Sequence, residues 1–116
     1  MLIGQSVLAP TGGADYYTPW VPRQGDALTA VVEVLRTSGT IASFSCAGQT
    51  KNHEDSDADA VALAGSPLTV TTTAGDVSKA VFSDAKELVR YKYSIAGSSS
   101  LRWVHFRANP MIWLPN

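Results

Sequence analysis

Residues 88–95, with the sequence LVRYKYSI, alternate between polar and apolar side chains and decide the fold class. The apolar face carries Val89, Tyr91, Tyr93 and Ile95. Because successive side chains of a strand point to opposite faces, this alternation predicts a β-strand with one face buried and the other in water.

A second segment with the same period follows at 101–108, LRWVHFRA. Val104 and Phe106 share its apolar face, and His105 lies on the opposite one. Residues 97–100, GSSS, are typical of a tight connection. The two segments are therefore predicted to form a β-hairpin around that loop.

Residues 26–36 are compatible with two structures. Asp26 can cap a helix, and Gly39 lies just beyond the point where that helix would end. The valines within the segment are β-branched, however, and favour a strand. We expect a strand that pairs with residues 39–47 around a turn at Ser38.

The composition agrees with an all-β domain. The chain has 116 residues with 9 Gly and 6 Pro, and only 16% of its residues are charged. Turn residues recur about every 8 to 12 positions, as in antiparallel sandwiches. We therefore predict one domain over residues 1–116, a jelly-roll-like antiparallel β-sandwich of about eight strands. Extended arms are expected at about 1–24 and 109–116.

Charge and cysteine content narrow the functional classes. The formal net charge of −1 gives no cationic excess for general nucleic-acid binding, so no nucleic-acid partner is expected. No apolar stretch is long enough for a membrane helix, and residues 1–13 do not look like a signal peptide. Cys46 is the single cysteine and cannot form an intrachain disulfide.

The charges are unevenly distributed along the chain. Residues 1–76 hold three basic and eight acidic residues, whereas residues 77–116 hold six basic and two acidic ones. We expect the two parts to interleave in the fold, so that their charges mix. The alternative is a dipolar surface suited to repeated head-to-tail contacts.

Catalytic and metal-binding patterns are weak. Cys46 with His53 or His105 could form a thiol–imidazole pair, but no nucleophile motif accompanies them. The chain is therefore expected not to be an enzyme and to bind no cofactor.

The acidic run at 53–59 contains Asp55, Asp57 and Asp59 in the spacing that opens a calcium loop. Ala60 and Ser66 occupy the positions where that loop needs Gly and Glu. We expect a solvated loop and no metal site; the alternative is an open cation site with oxygen ligands.

The two arms carry the best candidates for an interface. Trp20 lies among prolines that cannot join a central strand. The apolar Met111, Ile112 and Trp113 lie close to the end of the sequence, where apolar residues need a surface to dock on. Arg102 and Arg107 could add charge complementarity with a partner.

The chain resembles small all-β virion proteins of tailed bacteriophages, namely head decoration, cement or accessory subunits. The resemblance is carried by Gly25-Asp26, residues 49–55, 86–93 and 103–107, and the Pro110–Trp113 tail. It implies a structural, non-enzymatic subunit of the virion that is made in the host cytoplasm. It also implies homo-oligomers and contacts with the major capsid protein or neighbouring structural subunits.

A glycan-binding module, such as a receptor-binding or fibre part, is the alternative. Exposed aromatic side chains on a β-sandwich can stack on sugar rings. Tyr16, Tyr17 and Trp20 are the candidates for this role.

Overall fold

The computed structural model describes residues 6–10, 15–38, 41–96 and 103–114. These residues form eleven strands and one short 3-10 turn at Asp57–Asp59. The strands are β1 (Ser6–Pro10), β2 (Tyr16–Tyr17), β3 (Val21–Pro22), β4 (Ala27–Ser38), β5 (Ser43–Lys51), β6 (Val61–Ala62), β7 (Leu68–Thr69), β8 (Val77–Ser83), β9 (Leu88–Ala96), β10 (Trp103–Ala108) and β11 (Ile112–Trp113).

The strands build two antiparallel sheets that pack face to face. The five-stranded sheet contains β1, β10, β11, β4 and β8, and the six-stranded sheet contains β2, β3, β9, β5, β6 and β7. The prediction of an all-β sandwich is confirmed.

The strand order is that of a jelly roll. Strands β2 and β3 both pair with the same edge of β9, since β5 occupies its other edge. By the same reasoning β6 and β7 share one edge of β5, and β10 and β11 share one edge of β4. Counting each such pair as one gives eight strands along the chain, of which β4, β5, β8 and β9 are the third, fourth, sixth and seventh. Their order is then 1-8-3-6 on one sheet and 2-7-4-5 on the other.

Residues 27–36 lie in strand β4, as predicted for 26–36, and the helical alternative is wrong. Every second side chain of β4 from Leu28 to Val34 is buried in the core, namely Leu28, Ala30, Val32 and Val34. A 12-residue strand of this kind suits its valines, since β-branched side chains pack well on a pleated surface.

Two predicted pairings are wrong. Strand β9 pairs with β5 in the six-stranded sheet, while β10 pairs with β1 and β4 in the five-stranded one, so they form no hairpin. Likewise β4 does not pair with β5. A strand that buries one face has the same sequence pattern whether the next strand of the chain lies beside it or in the opposite sheet. Alternation alone therefore could not predict which strands pair.

Aromatic side chains fill the core between the sheets. Phe106 of the five-stranded sheet lies 4.9 Å from Phe44 and 5.0 Å from Tyr93 of the six-stranded sheet, measured between ring centroids. Phe82 of β8 meets Tyr91 of β9 edge-on at 6.3 Å. Such tilted and edge-on pairs are the favoured aromatic geometries.

Parts of both predicted arms belong to the sheets. Strands β1, β2 and β3 lie within residues 1–24, and β11 lies within 109–116. The described parts of the arms are therefore paired at sheet edges rather than extended away from the domain.

Gly48 of β5 faces the core, where two side chains leave no room for a methyl group. A Cβ at this position would lie 2.7 Å from Leu63 Cδ1 and 2.7 Å from Phe82 Cδ2, both of which are buried. We expect Gly48→Ala to lower the free energy of unfolding by about 1–3 kcal/mol in urea denaturation, because the core must shift. Ala47→Ser, on the outer face of the same strand, is the control and should change it by less than about 0.5 kcal/mol.

The hydroxyl group of Tyr91 is buried and has no hydrogen-bond partner among the described residues. Burial raises the pKa of this hydroxyl. Since an unpartnered buried hydroxyl is destabilising, we expect Tyr91→Phe to leave the free energy of unfolding unchanged or raise it by up to about 1 kcal/mol. A clear loss of stability on calorimetry would show that the hydroxyl has a partner.

Candidate functional site

The three interface residues predicted in the C-terminal arm divide between the core and the surface. Met111 and Trp113 are half-buried and pack against the core, whereas Ile112 between them is 55% exposed. The reason is strand alternation in β11, where Ile112 pairs with Thr29 of β4.

Ile112 belongs to an apolar surface on the outside of the five-stranded sheet. Thr29 also pairs with Val81 of β8, so these three side chains form one row across the sheet. Val81 is 54% exposed and Val77, two rows along the same strand, is 56% exposed. We call Val77, Val81 and Ile112, with the half-buried Thr29 and Val31 between them, the outer apolar face.

A shallow open cavity lies beside β11. It has a volume of about 200 Å³ and is lined by Val21, Pro22, Gln24, Pro110, Met111 and Trp113. Two of the predicted interface residues, Met111 and Trp113, thus border a depression between β3 of one sheet and β11 of the other.

Of the two arginines predicted to contribute to an interface, only Arg107 lies within the described residues. Arg107 Nη1 lies 3.5 Å from Glu33 Oε2 on the neighbouring strand β4, with a side chain that is 45% exposed. Arg107 therefore already has an intramolecular partner beside the outer apolar face. Arg102 lies outside the described residues.

Trp20 is engaged within the fold, on the opposite side of the sandwich. Its Nε1 donates to Asp57 Oδ1 at 3.0 Å. Arg90 lies 4.4 Å and Lys51 4.9 Å from the centre of its ring. We call Tyr17, Trp20, Lys51, Asp57 and Arg90 the cation–aromatic cluster.

The guanidinium of Arg90 is held between two aromatic rings. It lies 4.2 Å from the centre of the Tyr17 ring as well as against Trp20. Arg90 Nε donates to Gln49 Oε1 at 2.8 Å. The registers explain these contacts: Gln49 is directly opposite Arg90 on β5, and Tyr17 is opposite Lys92, on the same outer face.

Asp57 joins the two cations of the cluster. Lys51 Nζ donates to Asp57 Oδ1 at 2.8 Å, and Arg90 Nη1 lies 3.5 Å from Asp57 Oδ2. The hydrogen bond from Lys51 is the main cause that holds the pKa of the Asp57 carboxyl below its usual value. The carboxylate is thus the favoured form in the folded protein.

Thr18 fixes the segment that carries Tyr17 and Trp20. It is buried and forms two hydrogen bonds with Tyr91: its backbone N–H donates to the Tyr91 carbonyl at 3.0 Å, and its Oγ1 accepts from the Tyr91 N–H at 2.9 Å. This pairing links β2 to β3 along β9. Nothing in the local sequence pattern indicated this role.

The thiol–imidazole pair is not assembled. Cys46 is buried in the core, and burial raises the pKa of its thiol to about 12. His53 is exposed in the loop after β5, and His105 lies on the outer face of the other sheet, since Val104 and Phe106 are the buried residues of β10.

The acidic loop distributes its carboxylates among different partners. Asp55 Oδ2 accepts from the backbone of Asn52, Asp57 binds the cations, and Asp59 Oδ2 accepts from Ser56 Oγ. Within the described residues, no group of three His, Cys, Asp or Glu side chains converges to hold a metal ion.

The acidic and basic parts of the chain do interleave. Arg90, Lys92 and Arg107 from the basic part face Asp57, Asp15 and Glu33 from the acidic part. The acidic residues of the first part of the chain and the basic residues of the second part therefore form ion pairs with each other in the fold.

The part of the chain with a described structure forms no helix that is long and apolar enough to cross a membrane. No protein-family model matches the chain, and neither a curated protein nor a solved structure does.

The lowered pKa of Asp57 predicts a specific pH dependence. Its contribution to stability is present above the unfolded-state pKa of 3.8 and is lost as the pH falls through the lower folded-state value. We expect wild type to melt at a higher temperature than Asp57→Asn at neutral pH, with the difference shrinking below pH 3.8. Because salt screens exposed ion pairs, high ionic strength should also reduce this difference in melting temperature. A difference that is the same at all pH values would contradict this account.

Proposed function

We propose that the protein is a non-enzymatic structural subunit of a virion, which binds neighbouring subunits through its outer apolar face and the adjoining strand β11. The resemblance to phage decoration and accessory proteins supports this function. So does the strand order, because jelly rolls recur in viral capsid proteins, although fold alone does not decide function.

The observation that carries the proposal is the clustering of exposed apolar side chains. Val77, Val81 and Ile112 are each more than half exposed and lie together on one sheet. Exposed apolar side chains that lie close together on one face of a domain are typical of protein contacts. The continuous apolar row is Val81, Thr29 and Ile112. Lys79 lies between Val81 and Val77 on β8, and Glu33, which pairs with Arg107, lies opposite Val77.

The patch is small, which fits attachment to an assembled particle. A stable complex of two free proteins buries roughly 800 Å² on each partner, several times the area of three side chains. In a lattice, many weak contacts act together and raise the effective affinity. A small apolar face of this kind is therefore sufficient for stable attachment when many copies bind the same particle.

The role of β11 determines how the proposal is tested. Removal of the residues after Ala108 would delete Met111 and Trp113, which pack against the core, so a truncated chain could fail to fold. Substitutions of exposed side chains avoid this problem.

We expect Val81→Asp and Ile112→Asp each to weaken binding to the particle at least about tenfold, because each places a charge in the apolar contact. Val61→Asp is the matched control: Val61 is 46% exposed but lies on β6 of the other sheet. Co-sedimentation with particles measures the binding, and light scattering after size-exclusion measures self-association. Unchanged binding by both variants, or an equal loss with Val61→Asp, would contradict the proposal.

A further inference from the structure

Strand β8 lies at the end of the five-stranded sheet and has a neighbouring strand on one side only. It pairs with β4 along the whole of Val77–Ser83 without a register shift. On its other side, Ser83 exchanges hydrogen bonds with Ala64, in which the Ser83 N–H donates at 2.9 Å and the Ser83 carbonyl accepts at 3.0 Å. Gly65 then lies against the Val81 carbonyl, where an added Cβ would be 2.5 Å from the oxygen. The part of β8 before Val81 has no described strand on this side.

The backbone groups on this side of β8 point away from the domain. In an antiparallel strand, the N–H and C=O of one residue point to the same side, and the side alternates from one residue to the next. Val77 and Lys79 therefore point theirs to the same side as Ser83, away from β4. Within the described residues, these groups of Val77 and Lys79 have no hydrogen-bond partner. We call Val77, Ser78 and Lys79 the open edge, because such unpaired groups are a template for a further strand.

Lys79 determines which strand fits the open edge. Its side chain is exposed on the outer face, and within the described residues it forms no ion pair. An edge lysine opposes pairing where it meets a like charge directly across the ladder. Two copies of β8 that pair antiparallel about Lys79 would create that repulsion. Two copies that pair about Ser78 avoid it, because each Lys79 then lies opposite Val77 of the other copy.

The pairing about Ser78 also uses every group of the open edge. Val77 and Lys79 form two hydrogen-bonded pairs across the two-fold axis, with two backbone hydrogen bonds in each pair. The edge is thus complementary to itself, as an interface with two-fold symmetry requires.

Charges favour the same register. Glu33 of β4 lies beside Val77 in the sheet, and its side chain is 32% exposed. In the paired sheet, Lys79 of one copy is next to Val77 of the other, and Glu33 of that other copy follows in the same row. The aliphatic part of the lysine covers the valine, and its ammonium group reaches the glutamate. Each copy therefore supplies the acidic partner that Lys79 lacks in the single chain.

We propose that two copies of the chain form a dimer through their open edges, with the β8 strands antiparallel and the two-fold axis beside Ser78. The dimer does not rest on the proposed function, because it forms between free copies. If that function holds, pairing joins the two five-stranded sheets and places both outer apolar faces on one side of the joined sheet.

The first test is disulfide trapping of the register. In the proposed dimer the two Ser78 residues form a pair without hydrogen bonds, with Cα atoms about 4.5 Å apart, which suits a disulfide. The two Val77 residues are offset by two positions and lie roughly 8 Å apart, too far for one. We expect Ser78→Cys to cross-link at least about tenfold faster than Val77→Cys under mild oxidation, although Val77 is the more exposed residue. Cys46 is buried and does not compete.

The second test removes one outward N–H. Lys79→Pro leaves the bonds to β4 intact, because the N–H of Lys79 points away from β4, and edge strands accept proline in this orientation. Lys79→Ala is the matched control, which keeps the N–H and loses the charge. We expect sedimentation equilibrium to show the wild type half dimeric below about 500 µM, since small interfaces give weak complexes. Lys79→Pro should weaken the dimer at least about tenfold, and Lys79→Ala by about threefold at most. The chemical shifts of Phe82 verify that each variant is folded.

The proposal is wrong if the wild type stays monomeric at this concentration, or if Val77→Cys cross-links as fast as Ser78→Cys. It is also wrong if folded Lys79→Pro dimerises as well as Lys79→Ala does. Ile112→Asp separates the two proposals, because β11 lies on the other side of β4 from β8. This variant should lose particle binding and keep the dimer.

Discussion

The packing of Phe106 against Phe44 and Tyr93 joins the two sheets, and the remaining structure depends on it. These rings come from β10, β5 and β9 and meet at 4.9 and 5.0 Å between centroids. Once they point inward, strand alternation determines which residues point outward on each sheet. Arg107 next to Phe106 then faces outward on one sheet, and Lys92 next to Tyr93 faces outward on the other. The core therefore positions both candidate surfaces, although neither surface takes part in it.

The fold could be predicted as far as its strands and their buried faces. The alternation of residues 88–95 corresponds to the buried Val89, Tyr91, Tyr93 and Ile95 of β9. Pairing between strands could not be predicted in the same way. In a jelly roll the chain crosses between the sheets at most connections, so neighbours in sequence seldom pair with each other. A strand with one apolar face is compatible with either position, and only the completed core distinguishes them.

The candidate site was predictable only in part. The apolar C-terminal tail indicated a segment that docks on a surface, but not that it forms β11, with Met111 and Trp113 facing inward and Ile112 facing outward. Val77 and Val81 gave no signal, because an exposed valine and a buried one look alike in sequence. The cation–aromatic cluster depends on contacts between Tyr17 and Arg90, which lie far apart along the chain and meet only through the pairing of β2 with β9.

The proposed function gives the two sheets separate tasks, in which the five-stranded sheet would attach the subunit to its particle and the six-stranded sheet would face away from it. Amide hydrogen exchange, compared between the isolated chain and the chain assembled with its neighbouring subunits, tests this division most directly. The account predicts slower exchange on assembly in β8 and β11 and unchanged exchange in β2 and β9. Slower exchange confined to β2 and β9, or no change anywhere, would contradict it.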